Sequence, residues 1–377
     1  MRKTVLIVPG WLSEGEAESA LRERLPCLES LSELGETFLL APPADAETPE
    51  AAWLGLDPER IRLAQGPLTV AAFGYEPPDR SVHFHLSLLA LDGEGKVSVP
   101  EFEIADEQAR AVLDVATRLN TRSLSVLEGE RADHALVWEN GSLDMATRRP
   151  REAIGAPLRD SLPEGDGESL LRRLIDDSVN LLSELPFNLQ RVDEGRPMLN
   201  LLWPWGQGIR EPVPNLALAR GEPVWVESRS LRLEGLARLA RYKHGVRNAL
   251  GKGTNLRLER LLETANLRQT SILFVDEIAR FRAESRFEEA AWLTSELDRR
   301  LLSPLLKMHL EHRGLLAILA PSTRPDARGL ALWVESGKMV ERPLPFDERA
   351  LEERGLTERA AWRAIEEALL WRVRESS

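Results

Sequence analysis

The run Lys3-Thr-Val-Leu-Ile-Val8 constrains the fold more than any other stretch. It is short, apolar and rich in β-branched residues, and Pro9-Gly10 ends it. Such a run, without polar alternation, predicts a strand buried on both faces, as in a parallel sheet. Ser13-Glu14-Gly15-Glu16 then opens a helical stretch with acid in its first turn. Pro26 starts a second helix over Cys27 to Leu34, closed by Gly35, with Leu28, Leu31 and Leu34 on one face. Thr37–Leu40 reads as a second strand, stopped by Pro42-Pro43. Strand, helix, strand in that order predicts an α/β fold with a mostly parallel sheet flanked by helices.

In such a sheet, chemistry belongs just past a strand end, here residues 41–60. The next landmark is Gln65-Gly66-Pro67-Leu68, before a strand over 81–91 in which Phe84, Leu86 and Leu88 alternate with polar residues. From residue 92 the character changes. A strand near 97–104 precedes a helix from Asp106, its expected N-cap, to about Asn120. Two short strands near 123–128 and 134–139, an exposed connection over 146–167 and a helix from Glu168 to Leu185 complete a small α+β insertion. The expected division is a discontinuous core of residues 1–91 and 186–377, with a cap domain over 92–185. Strands expected at 223–227, 271–275, 314–320 and 330–335 resume the core. Helices at 230–242, 256–265, 287–302 and 358–373 alternate with them, the last with Thr357 as N-cap.

A net charge of −12, from 49 Lys plus Arg against 61 Asp plus Glu, argues against nucleic acid as a partner. Hydrophobic and charged shares of 43% and 29% fit a globular protein. The single Cys27 excludes an intrachain disulfide and any multi-cysteine zinc site. No apolar run reaches membrane-spanning length and no signal-peptide core opens the chain, so the expected location is the cytoplasm, with no membrane partner.

Some motifs tempt and fail. Ser271-Ile-Leu-Phe-Val-Asp276-Glu277 has the form of a Walker B strand, and Gly251-Lys252-Gly253-Thr254 faintly resembles a phosphate loop. The spacing fails, because position 246 is valine and the residue after Lys252 is glycine. His83 and His85 share a strand face, but two imidazoles alone make a weak metal clasp. His309 and His312 read as a solvated helix face. No nucleophile–base pair stands out.

Residues 198–208, Met-Leu-Asn-Leu-Leu-Trp-Pro-Trp-Gly-Gln-Gly, combine two large rings, one rigid residue and permissive glycines. They read as a shaped turn, and spacing alone accounts for them as a packed loop between strand and helix. Together with Leu185-Pro186-Phe187-Asn188-Leu189-Gln190-Arg191 and Gly195, however, the stretch resembles the middle of the archaeal-type, cofactor-independent phosphoglycerate mutases. Leu25-Pro26-Cys27-Leu28, Leu54-Gly55-Leu56-Asp57-Pro58, Gln65-Gly66-Pro67-Leu68 and Pro345-Phe346-Asp347-Glu348 resemble other motifs of that family.

The resemblance implies an alkaline-phosphatase-like core with an inserted cap. It also implies interconversion of 3- and 2-phosphoglycerate through a phosphoserine, with two divalent cations such as manganese or zinc. That chemistry needs a hydroxyl ionised between cations about 4 Å apart. The chain departs from the family at each ligand motif. Pro9 stands where the family's first strand ends in aspartate, and the turn Pro43-Ala44-Asp45-Ala46-Glu47-Thr48 lacks the nucleophilic serine. Asp45 and Thr48 are the nearby candidates, and neither matches the family's serine cleanly. The family's Asp-Glu-Ala-Gly-His becomes Asp276-Glu277-Ile278-Ala279-Arg280, and its Asp-His-Ser-Thr becomes Ala320-Pro321-Ser322-Thr323.

The expectation is therefore a catalytically inactive mutase-fold protein with no metal cofactor. It would bind a protein partner or a small phosphorylated or anionic ligand, with Arg191, Asn200, Trp205 and Gln207 as ligand-binding residues. The competing expectation is a working mutase, an isomerase of glycolysis, with ligands relocated to Asp45, Asp276, Glu277 and His244.

Overall fold

The structure is a computed structural model that describes residues 2–11, 25–43, 45–98, 104–251, 253–338, 340, 351 and 358–370. The helix opening expected at Ser13, the Pro345–Glu348 motif and the Thr357 cap lie outside the described residues. The first strand, β1 (Arg2–Ile7), is the run marked out by the sequence, buried from Lys3 onward. α1 (Pro26–Leu34) has proline in its first turn and buries Leu28 and Leu31. Leu34 is exposed, so the apolar face is shorter than expected. Gly35 is not a left-handed cap, since its φ is −120°. Its missing side chain serves packing instead: a Cβ there would lie 2.6 Å from the Trp333 carbonyl oxygen. β2 (Glu36–Leu40) follows.

Residues 63–212 then form a unit of their own. It comprises α2 (Gln65–Ala72), β3 (Ser81–Leu91), β4 (Val97–Ser98), α3 (Asp106–Arg118), β5 (Leu124–Glu130), β6 (Asp133–Glu139), β7 (Met145–Ala146), β8 (Glu164–Gly165), α4 (Glu168–Ser183), α5 (Pro186–Asp193) and β9 (Met198–Gly208). Ala105, not Asp106, is the cap residue of α3. The unit begins and ends further out than the expected 92–185. The reason is pairing. β3 runs antiparallel to both β6 and β9, so both long strands complete the small sheet. Phe84, Leu86 and Leu88 on one face of β3 join a core with Val112 and Val115 of α3 and Leu171 and Leu174 of α4. The polar face, His83, His85 and Ser87, is buried as well.

The chain then returns with β10 (Val224–Glu227), α6 (Leu231–Leu239), β11 (Lys243–His244), α7 (Leu258–Leu267), β12 (Thr270–Phe274), α8 (Glu277–Ala283), α9 (Phe287–Leu297), α10 (Ser303–Glu311), β13 (Gly314–Ala320), β14 (Gly329–Glu335) and α11 (Ala361–Leu370). With residues 2–62 these elements make the larger unit. Its sheet has the order β11-β10-β12-β1-β13-β14-β2. β11, β10, β12, β1 and β13 are parallel, with Val5 opposite Ile272 on one side and Ala317 on the other. β14 is antiparallel to β13 and to β2. Among the described residues no helix is long and apolar enough to cross a membrane.

The expected helix over 287–302 divides. α9 passes through a π-helical turn, Asp298–Leu302, before α10. Asp298 is buried there, and its carboxylate accepts from the backbone N–H groups of Leu28 (2.8 Å) and Cys27 (3.1 Å), capping α1 from a distance in sequence. Asp298→Ala is expected to cost about 1–3 kcal/mol, by losing the cap and orphaning two amides. Urea unfolding of the variant measures it, and an unchanged midpoint would refute the capping role.

Candidate functional site

The parallel strands of the larger unit all end on one edge, so residues far apart in sequence are gathered there. β1 delivers Pro9 and Gly10, β12 delivers Asp276 and Glu277, β13 delivers Pro321 and Thr323, and β10 delivers Ser228 and Arg229. The ends of β1 and β13 are joined: the Val8 N–H donates to the Leu319 carbonyl and the Gly10 N–H to that of Pro321, both at 2.9 Å. Gly10 has a φ of +66°, and a Cβ there would lie 3.0 Å from Thr323 Cγ2 and 3.5 Å from Ala279 Cα. A side chain at position 10 would thus press on Thr323.

Two carboxylates close the next strand. Asp276 precedes α8, and burial raises its pKa against the opposing fields of Arg280 and Arg229. Glu277 is 1% exposed, and burial, helped by the charge of Asp276, pushes its carboxyl up to about 7. Its Oε1 accepts no hydrogen bond, but Arg229 Nε lies 3.4 Å away. Arg229 went unnoticed in the sequence. Its signal was its place, directly after a parallel strand.

The other expected site residues of this unit do not assemble. Asp45 is exposed. Thr48 is fully buried at the start of the 3-10 turn Pro49–Leu54. Arg232 pins that segment, donating to Glu50 Oε1 at 2.7 Å and to the Glu47 carbonyl at 2.9 Å. An enclosed Thr48 hydroxyl offers no open nucleophile. His244 sits with its Nδ1 3.3 Å from Glu234 Oε1. Among the described residues, Asp45, Asp276, Glu277 and His244 included, no group of three or more His, Cys, Asp or Glu is arranged to hold a metal ion. Among the described residues, Gly251 and Gly253 form no phosphate loop, because a 3-10 turn (Arg247–Leu250), not a strand, leads into them and a second (Gly253–Asn255) follows.

In the smaller unit, the Trp-Pro-Trp stretch is not a turn but β9, paired along β3. Its candidate side chains are occupied internally. Arg191 Nε donates to the Pro197 carbonyl at 2.7 Å. Asn200 Nδ2 donates to Ser183 Oγ at 2.9 Å, and its Oδ1 accepts from the Leu91 N–H at 3.3 Å. Trp205 Nε1 donates to Ser87 Oγ at 2.9 Å. Gln207 Nε2 donates to the Met145 carbonyl at 2.5 Å, and its Oε1 accepts from Thr147. The glycines have a steric reason. A Cβ on Gly206 would lie 2.6 Å from Gln65 Cβ, and one on Gly208 2.8 Å from Ala64 Cβ. They let α2 and the residue before it lie against the sheet.

The histidines of this unit are built into the same layer. His85 Nδ1 is 2.8 Å from Thr69 Oγ1, its Nε2 is 3.0 Å from Asp133 Oδ1, and its ring meets Trp205 with centroids 5.0 Å apart. Hydroxyl, imidazole and carboxylate in a row resemble a catalytic relay. Thr69 is fully buried, however, and its hydroxyl donates to the Gln65 carbonyl at 2.9 Å, so the row is structural. His83 Nε2 is 3.2 Å from Ser81 Oγ, which leaves no clasp shared with His85. Burial lowers the pKa of both His83 and His134 to about 4.

The chain is similar to known proteins over most of its length. A family model described as 2,3-bisphosphoglycerate-independent phosphoglycerate mutase matches residues 40–188. A protein of that name from Methanosarcina mazei is 23% identical over 295 residues, covering 75% of this chain and 74% of that protein. A probable enzyme of the same name from Geobacter sulfurreducens is 25% identical over 171 residues, 44% of this chain but only 43% of its own length. A solved Pyrococcus horikoshii protein superposes with a TM-score of 0.72 at 16% identity, over 100% of this chain and 99% of that one. The cofactor-independent phosphoglycerate mutase of Thermoplasma acidophilum gives 0.61 at 18% identity, over 97% and 98%. These two likenesses establish the shared fold.

Proposed function

The chain belongs to the cofactor-independent phosphoglycerate mutase family, and from that premise we propose that it keeps the scaffold, has lost the two-metal chemistry, and acts by binding. The ligand class is a small phosphorylated or other anionic molecule, or a protein partner. One observation carries this reading: among the described residues, the strand ends that would hold the cations offer no ligand set. Pro9 and Pro321 have no donor side chain, their strands are hydrogen-bonded together, and Arg229 stands against Glu277. Two divalent cations do not fit these residues, since each needs several oxygen or imidazole donors. Without them, neither nucleophile activation nor charge stabilisation is supplied, and these strand ends have no means of phosphoryl transfer.

The test is elemental analysis of protein purified without a metal-affinity tag, before and after incubation with manganese and zinc. It is paired with an assay of 3-phosphoglycerate to 2-phosphoglycerate conversion. The expected result is metal well below stoichiometry and no turnover. About two metals per chain together with turnover would replace this reading by a working mutase with relocated ligands.

A further inference from the structure

We infer that Arg229 serves as an internal cation at the carboxyl end of β12, holding in place of bound metal the charge of the carboxylates there. The inference deepens the proposed function and rests on its metal-free reading. Glu277 is 1% exposed, carries an Oε1 without a hydrogen bond and adjoins a second acid, Asp276. Once ionised, a buried carboxylate in that setting requires a positive neighbour. Arg229 Nε at 3.4 Å, on a side chain itself only 10% exposed, is that neighbour. Arg280, at the place where the family motif has histidine, adds its field to both acids.

The backbone holds Arg229 for this task. The Ser228 hydroxyl accepts from the Ser230 N–H at 2.9 Å, and the Ser230 hydroxyl caps α6 by accepting from the Leu233 N–H at 3.2 Å. The backbone that carries the arginine is therefore fixed at a strand-to-helix turn. A guanidinium differs from a metal ion in one decisive way: it is permanently charged but has no open coordination position for a hydroxyl or phosphoryl oxygen.

The experiment is thermal unfolding of the full chain in EDTA and in manganese, for wild type, Arg229→Met, Glu277→Gln and the double variant. At about pH 8.5, above the Glu277 value of about 7, Arg229→Met is expected to melt about 5–10 °C lower, because the buried Glu277 carboxyl is left without its cation. Adding Glu277→Gln should recover most of that loss. Manganese should raise the melting temperature of Arg229→Met and leave wild type unmoved. An equal loss from Arg229→Met with Glu277 and with Gln at 277 would overturn the inference. If Arg229→Met yields no folded protein, the double variant decides: its recovery supports the pairing and its failure to fold overturns it. Metal-free wild type without coupling would overturn this inference alone, whereas two tightly bound metals would overturn the proposed function as well.

Discussion

Gly66→Ala is expected to prevent the smaller unit from folding to a stable state, although it replaces one small helical residue by a better helix former. A Cβ at position 66 would lie 2.1 Å from the His83 carbonyl oxygen, 2.4 Å from its carbon and 2.7 Å from the Phe84 nitrogen. Those are backbone atoms of β3, which is hydrogen-bonded on both sides, to β6 and β9. The strand cannot yield without breaking two ladders, so α2 must rise from the sheet. Lifting it parts Thr69 from His85 and opens the cluster of Val70, Ala135 and Val137. The expected cost exceeds about 3 kcal/mol, the upper end of ordinary overpacking. The contrast is Gly93→Ala, where a Cβ would meet nothing within 4 Å. That change is expected to stay within about 0.5 kcal/mol. Urea unfolding followed by tryptophan fluorescence compares them, and a Gly66→Ala protein as stable as wild type would show that α2 does not press against β3.

This glycine illustrates what the sequence could and could not disclose. The buried parallel strands were legible because their signal is local: β1, β12 and β13 each contain a short apolar run and fall within a residue of their expected limits. The Trp-Pro-Trp stretch misled because its glycines look like turn residues. Gly206 does take a left-handed φ of +64°, but both glycines also let residues 64–67, at the start of α2, approach the strand, and nothing local to 206–208 announces that contact. The limits of the smaller unit lie further out than the expected ones for a related reason. β3 and β9 are about as far apart in sequence as the insertion is long, and only their pairing assigns both to the smaller unit. The acids after β12 were legible singly. The arginine that answers Glu277 comes from another strand, 48 positions earlier, so the pair exists only in the folded chain. The family resemblance rested on motifs such as Gln65-Gly66-Pro67 and Trp205-Gly206-Gln207-Gly208, whose demands here are steric. Such motifs can persist whether or not a metal is bound, so resemblance carries the scaffold further than the chemistry.

Acid is expected to unfold the two units unequally, the smaller one first. His83 and His134 are each 2% exposed and titrate at about 4, His83 held down further by Arg210 and His134 by His85, while Asp133 works against the burial of His134. Their unfolded value is about 6.5. Between those values the unfolded chain takes up protons that the folded unit refuses. The stability these neutral imidazoles provide is therefore complete above about pH 6.5 and falls away toward pH 4, by up to roughly 3 kcal/mol for each. Two such losses rival the whole stability of an ordinary domain, about 5–15 kcal/mol. The larger unit has one comparable histidine, His309, also lowered to about 4 by burial. It also has Glu277, whose shift has the opposite sign. A carboxyl raised from 4.5 to about 7 holds its proton better when folded, so its contribution is present at low pH and is lost as pH rises through that window. On acidification the gain at Glu277 offsets the loss at His309, whereas among the described residues of the smaller unit no carboxyl is raised to offset its two histidines. Near-ultraviolet dichroism and tryptophan fluorescence between pH 7 and 4 should therefore report a first transition involving Trp203 and Trp205, with far-ultraviolet signal of the larger unit retained. The variant His83→Gln/His134→Gln should move that first transition to lower pH. A single transition that is indifferent to both substitutions would mean that the buried imidazoles do not set the acid limit.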